Sequence, residues 1–185
     1  MKYTCTFRTA IITSFSALLL SLDTVNASSP QTTYTNRAFG FQIDVPTGWA
    51  SAPLLGRMVW HVASNGGTNT PDCSVIVTSD WSFGALTTDE YLDAQSEEKF
   101  TKLLKLNLPA VNIGVWEPNS DLGGQRALQI IYSGNLDGSK LTSMVLQTTR
   151  GDSLFAFTCN AEVHIFPLIY KDLLDIADSF VFITK

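Results

Sequence analysis

Apolar positions follow three patterns along this chain, and each predicts a different structure. The first is a nearly continuous run from Ala10 to Leu22. Lys2 and Arg8 precede it, and Val25-Asn26-Ala27 follows with small residues at 25 and 27. A basic start, an apolar middle and a small-residue end are the order of a secretory signal peptide, and cleavage is expected after Ala27. The run has 13 residues, well short of the roughly 20 that a spanning helix needs. The only early cysteine, Cys5, precedes the apolar run, so a lipid-anchored product is not expected.

The second pattern is alternation. Residues 28–38 are mostly polar and aperiodic, which predicts a mobile N-terminal arm before a single domain over 39–185. Phe41, Ile43 and Val45 then alternate with polar residues and predict a half-buried strand, ended by Pro46-Thr47-Gly48-Trp49. Short β-type runs recur at 58–62, 74–78, 112–117, 125–133, 141–149 and 153–160. Gly123-Gly124, Asn135-Leu136-Asp137-Gly138 and Arg150-Gly151-Asp152 separate the last four, and turns that short join antiparallel strands.

The third pattern has a helical period. Thr87-Thr88-Asp89-Glu90 has the form of a capping box, and Tyr91, Leu92, Ala94, Phe100, Leu103 and Leu104 recur at steps that predict one helix to about Leu106. A second helix is expected over about 166–178, with Phe166, Tyr170, Leu173, Leu174 and Ile176 on its apolar side. The order β-β-β-α-β-β-β-β-α predicts an α+β fold, an antiparallel sheet of about seven strands covered by two helices.

Composition narrows the function classes. The chain of 185 residues carries 12 Lys and Arg against 17 Asp and Glu, a net charge of −5. Removing Lys2, Arg8 and Asp23 with the leader makes the product one unit more acidic. That balance gives no electrostatic reason to bind nucleic acid or anionic lipid. Cys73 and Cys159 remain after cleavage, and in an oxidising compartment a disulfide is the simplest reading. Buried free thiols or half of a metal site are the alternatives.

Phe39-Gly40-Phe41-Gln42-Ile43-Asp44-Val45-Pro46-Thr47-Gly48-Trp49 resembles the opening strand and Pro-x-x-Trp corner of the PsbP-like superfamily. Gly123-Gly124-Gln125-Arg126-Ala127 resembles one of its glycine-led strands. Leu154-Phe155-Ala156-Phe157-Thr158-Cys159, with Phe166, Tyr170, Ile176 and Ser179-Phe180, resembles its closing strand and helix. The superfamily includes photosystem extrinsic subunits, a nuclear-import factor that binds a small GTPase, and bacterial effector-associated chaperones. The resemblance implies an α/β/α sandwich that serves as a binding platform. No ligand site of the family maps onto numbered residues of this chain.

Catalytic and metal chemistry find little support. His61, Cys73, Cys159 and His164 are the only imidazole and thiol groups after the leader, and their intervals match no zinc finger or ribbon. No serine lies in a Gly-x-Ser-x-Gly elbow, so a hydrolase would have to use His61 or His164. Asp89-Glu90, Glu97-Glu98 and Asp172 with Asp175 read as a helix start and solvated helix faces. No cofactor is expected. Trp60, Trp81, Phe83 and Trp116 form a candidate recognition surface, against the alternative that Trp81 and Phe83 cap the core. These observations predict a non-catalytic periplasmic or secreted protein that binds another exported or envelope protein through its sheet or loops. A carrier with a small-molecule pocket between sheet and helix, or an immunity protein for a secreted toxin, are the alternatives.

Overall fold

The computed structural model describes residues 32–64, 70–80, 84–108, 110–136 and 138–184. The predicted signal peptide therefore lies outside the described residues. Among the described residues, ten strands and three helices follow one another: β1 Thr32–Asn36, β2 Phe41–Val45, β3 Trp49–Ser51, β4 Met58–Ser64, β5 Asp72–Ser79, α1 Thr88–Asp93, α2 Glu97–Leu104, β6 Asn112–Leu122, β7 Gln125–Leu136, β8 Ser139–Arg150, β9 Ser153–Glu162, α3 Phe166–Asp178 and β10 Val181–Phe182.

Seven strands form one antiparallel sheet in the order β3-β4-β5-β9-β8-β7-β6. After β5 the chain crosses through α1 and α2 to the far edge, then returns as the meander β6-β7-β8-β9 until β9 pairs with β5. Cys73 and Cys159 stand directly opposite each other at that closure and form a disulfide. The bond spans 86 positions, which in a chain-entropy model stabilises the fold by about 4–5 kcal/mol.

Alternation along the central strands sends side chains to two cores. On one face, Trp60, Val62, Val75, Met144, Leu146, Phe155 and Phe157 pack against Leu173 and Ile176 of α3 and against Phe41, Ile43 and Phe180. On the other, Leu128, Ile130 and Val145 pack against Leu92, with Tyr91, Phe100, Trp116 and Tyr132 around them. Helices thus flank the sheet on both faces, as an α/β/α sandwich requires.

Two differences from the sequence reading have physical causes. Residues 32–36, within the expected mobile arm, form β1 and pair with β2 along its whole length. The threonines there suit an extended chain, and the buried side of the strand is supplied by Tyr34, whose hydroxyl donates to Val59 O (3.1 Å). With β10, these strands make a separate three-stranded sheet. Arg150 ties this sheet to the larger one, donating to Gly40 O (3.0 Å) and Ile183 O (3.2 Å) while lying over the Phe182 ring.

The expected single helix to Leu106 is two helices. The Thr87 capping box forms as the sequence predicts, but Ala94-Gln95-Ser96 interrupts the helix and Ser96 begins a new one, its Oγ accepting from Lys99 N. Ser favours the cap over the helix interior because its hydroxyl competes for backbone donors. Arg126 of β7 holds α1 down by donating to both Asp89 and Asp93 (2.9 Å each).

The β6–β7 hairpin turns on Gly123 (φ 63°) and Gly124 (φ 78°), left-handed conformations that a two-residue hairpin loop requires. A Cβ on Gly123 would stand 2.9 Å from Phe180 Cδ1, whereas one on Gly124 would meet nothing within 4 Å. Gly124→Ala is therefore expected to cost only backbone strain, about 1 kcal/mol. Gly123→Ala adds overpacking for a total of about 2–4 kcal/mol. Urea unfolding of both variants checks this, and equal losses would contradict the docking of the turn on Phe180.

Candidate functional site

The helices do not cover the second face evenly. α1 and α2 lie over β6, β7 and β8. On the neighbouring strands, Asp72, Ile76, Thr78, Ala156, Thr158 and Asn160 of that face remain half-exposed. A trough lies at the Asp72–Asn160 end of this region. It contains two cavities of ≈ 270 Å³ and ≈ 220 Å³ that share Asp72, Leu141 and Asn160 as lining.

Strand register fixes the polar floor. Asp72 and Asn160 are direct partners across β5 and β9, one position beyond the disulfide. Asn160 Nδ2 donates to Asp72 Oδ1 (3.0 Å). Asn160 pairs in turn with Ser143 of β8, whose Oγ donates to Asn160 Oδ1 (2.7 Å). His61 of β4 completes the row, with Nε2 at 3.6 Å from Asp72 Oδ1. Four adjacent strands thus contribute one linked chain, His61–Asp72–Asn160–Ser143. At one end the wall is apolar: Leu108 rests on Gly134 beside Tyr132.

Burial dominates the electrostatics of Asp72. Desolvation raises its carboxyl above the ordinary value of 3.8, while the Asn160 hydrogen bond and the His61 charge act in the opposite sense. His61 is anchored on its other side, where Nδ1 lies 2.7 Å from Pro53 O. A carbonyl oxygen only accepts, so Nδ1 carries a proton there. Nδ1 is therefore committed to Pro53, while Nε2 faces Asp72 Oδ1 at 3.6 Å, beyond hydrogen-bond distance. Ser74 is opposite His61 in register and 1 % exposed. Its Oγ has no hydrogen-bond partner among the described residues, so no Ser–His hydrogen bond of a nucleophilic pair joins them.

The remaining candidates are dispersed. Cys73 and Cys159 are bonded to each other and hold no metal. Among the described residues, no group of three or more His, Cys, Asp or Glu gathers as a metal site would. His164 is exposed in the β9–α3 turn, 3.4 Å from Glu162. Asp89 engages Arg126, and Asp175 pairs with Lys171 across one helical turn.

Of the four aromatics, Trp60 and Trp116 lie on opposite faces of the sheet. Trp60 is 3 % exposed and stacks on Phe157 in the first core, so it offers nothing to a partner. Its position in the buried alternation of β4 is the cause. Trp116 is half-buried on the other face, edge-on to Phe100 (5.9 Å), and Trp81 and Phe83 lie outside the described residues.

The trough residues Asp72, Asn160, Ser143, Tyr132 and Leu108 escaped the sequence reading. The available signal was parity: in 153–160 the positions between Phe155, Phe157 and Cys159 are Ala156, Thr158 and Asn160, a small and polar second face.

No family model matches the chain, and no curated protein matches it. Solved structures do. Cyanobacterial PsbP (CyanoP) from Synechocystis sp. PCC 6803 aligns at TM-score 0.59 and 17% identity, covering 89% of this chain and 98% of its own. LpqN of Mycobacterium tuberculosis, involved in cell envelope biogenesis, aligns at 0.56 and 16%, covering 85% and 88%. A variant of the protein Mog1 aligns at 0.50 and 9%, covering 85% and 98%. The chain has the PsbP-like fold, which leaves its partner to be argued from its own surface.

Asp72 generates a pH prediction. Its carboxyl is raised on folding, so ionising it opposes the folded state. Its contribution is therefore lost as pH rises through the window just above 3.8. Relative to Asp72→Asn, the unaltered protein should lose stability across that window and keep a constant difference at higher pH. Urea unfolding of both proteins over a pH series reads this directly. A difference that grows in favour of the carboxylate as pH rises would show that pairing outweighs burial.

Proposed function

We propose that this protein is an exported, non-catalytic binding protein that engages another protein across the trough and its adjoining loops. The linked row His61–Asp72–Asn160–Ser143 carries this reading. It presents fixed polar groups on the uncovered part of a sheet, held by the backbone of four strands, and preorganisation of that kind reduces the ordering cost of association.

Export is supported by the leader-like residues 1–27 and by the disulfide, since such bonds persist in oxidising compartments. The fold shared with LpqN, a protein of envelope biogenesis, is consistent with a periplasmic or secreted site of action. No helix among the described residues is long and apolar enough to cross a membrane.

Docking on the face is favoured over strand addition at an edge. β6, one edge of the large sheet, has register shifts at Ile113/Val115 and Glu117/Ser120 and contains Pro118, features that blunt an edge against further pairing. The opposite edge, β3, has 3 residues.

Site-specific photocrosslinking in the native host tests the proposal. A crosslinker at Ala63, in the trough, should capture a discrete protein, whereas one at Leu168, exposed on α3, should not. Capture from Leu168 alone, or from neither position, would overturn it.

A further inference from the structure

The trough also indicates the chemistry of what it takes. We infer that it receives a basic side chain, arginine or lysine, projected by the partner protein, with the charged head at Asp72. This inference rests on the trough being the contact surface, and it adds the identity of the contacting group.

Asp72 lines both cavities, so a side chain entering either one meets it. Asn160 and His61 both approach through Oδ1, and Oδ2 has no partner among the described residues. Among the described residues, no lysine or arginine lines either cavity. Glu162 lies two positions beyond Asn160 on β9, on the same side of the strand, with its carboxylate 3.4 Å from His164. The chain as a whole is acidic, at −5. A carboxylate removed partly from water gains most from a partner that returns a positive charge and a donor together.

The apolar side of the trough selects the same kind of ligand. Leu108, Tyr132 and Leu141 form a wall next to the carboxylate. Arginine and lysine carry three or four methylenes below their charge and lay that stem along apolar surface while the head finds a polar group. A hydrated metal ion would leave that wall unused. An acidic or purely aliphatic side chain would leave Asp72 repelled or unpaired.

The test is an NMR titration of the folded, disulfide-bonded protein. The probes are acetyl-Gly-Arg-Gly-amide, its lysine counterpart, and the citrulline peptide, which keeps the shape of arginine without the charge. Both basic peptides should shift the amides of Asp72, Tyr132, Ser143 and Asn160. The citrulline peptide should bind at least about fivefold more weakly, the order expected for loss of one partly buried charge contact of about 1 kcal/mol. Asp72→Asn, with its fold checked by spectral dispersion, should weaken the arginine peptide by a similar factor. The peptide comparison in the unaltered protein stands even if that variant fails to fold. Equal binding of arginine and citrulline, or shifts confined to other surfaces, would overturn the inference. If crosslinking from Ala63 still succeeded in that case, the trough would remain the contact surface and only the basic group would be rejected.

Discussion

The pairing of β5 with β9 is the constraint on which the other features depend. These strands are far apart in sequence, and they meet only after the chain has passed through two helices and returned along three further strands. A covalent bond between directly opposed Cys73 and Cys159 fixes that meeting. Side chains alternate with a period of two, so a slip of one residue would exchange the faces of a whole strand. The crosslink therefore does more than limit the unfolded ensemble. It keeps Val75 and Phe157 in the first core, and it holds Asp72 opposite Asn160 on the other side of the sheet.

What that register builds depends on the helices. α1 and α2 are short, and they are fastened over one end of their face by Arg126 and by the Leu92 contacts. The rest of the face would be an apolar liability if it carried large hydrophobics. Apart from Ile76, it carries the small or polar residues Asp72, Thr78, Ala156, Thr158 and Asn160. A polar row whose members satisfy one another tolerates partial burial, and it stays ordered because each member is placed by a strand. The binding role proposed above draws on groups that are fixed in this way.

Much of this was legible in the sequence because it is local. The alternation in 153–160 marked β9, the Thr87 capping box marked α1, and the paired glycines at 123 and 124 marked a hairpin. The cysteine pair was readable from compartment alone. Other features depend on contacts between distant segments. The polar stretch 32–36 becomes β1 only because β2 is beside it and Tyr34 finds Phe41. Trp60 looked available for recognition, yet its place in β4 turns it onto Phe157. The trough was not readable as a site, since Asp72 and Asn160 stand 88 positions apart and neither belongs to a motif.

Export, the disulfide and the trough form one argument, and the state of the protein recovered from its own host tests it most directly. Intact-mass measurement and non-reducing peptide mapping should find a chain beginning at Ser28, with the peptides of Cys73 and Cys159 joined. A chain that retains its first residues and carries free thiols at both positions would contradict the account. It would remove the oxidising compartment and, with it, the bond that holds the trough in register.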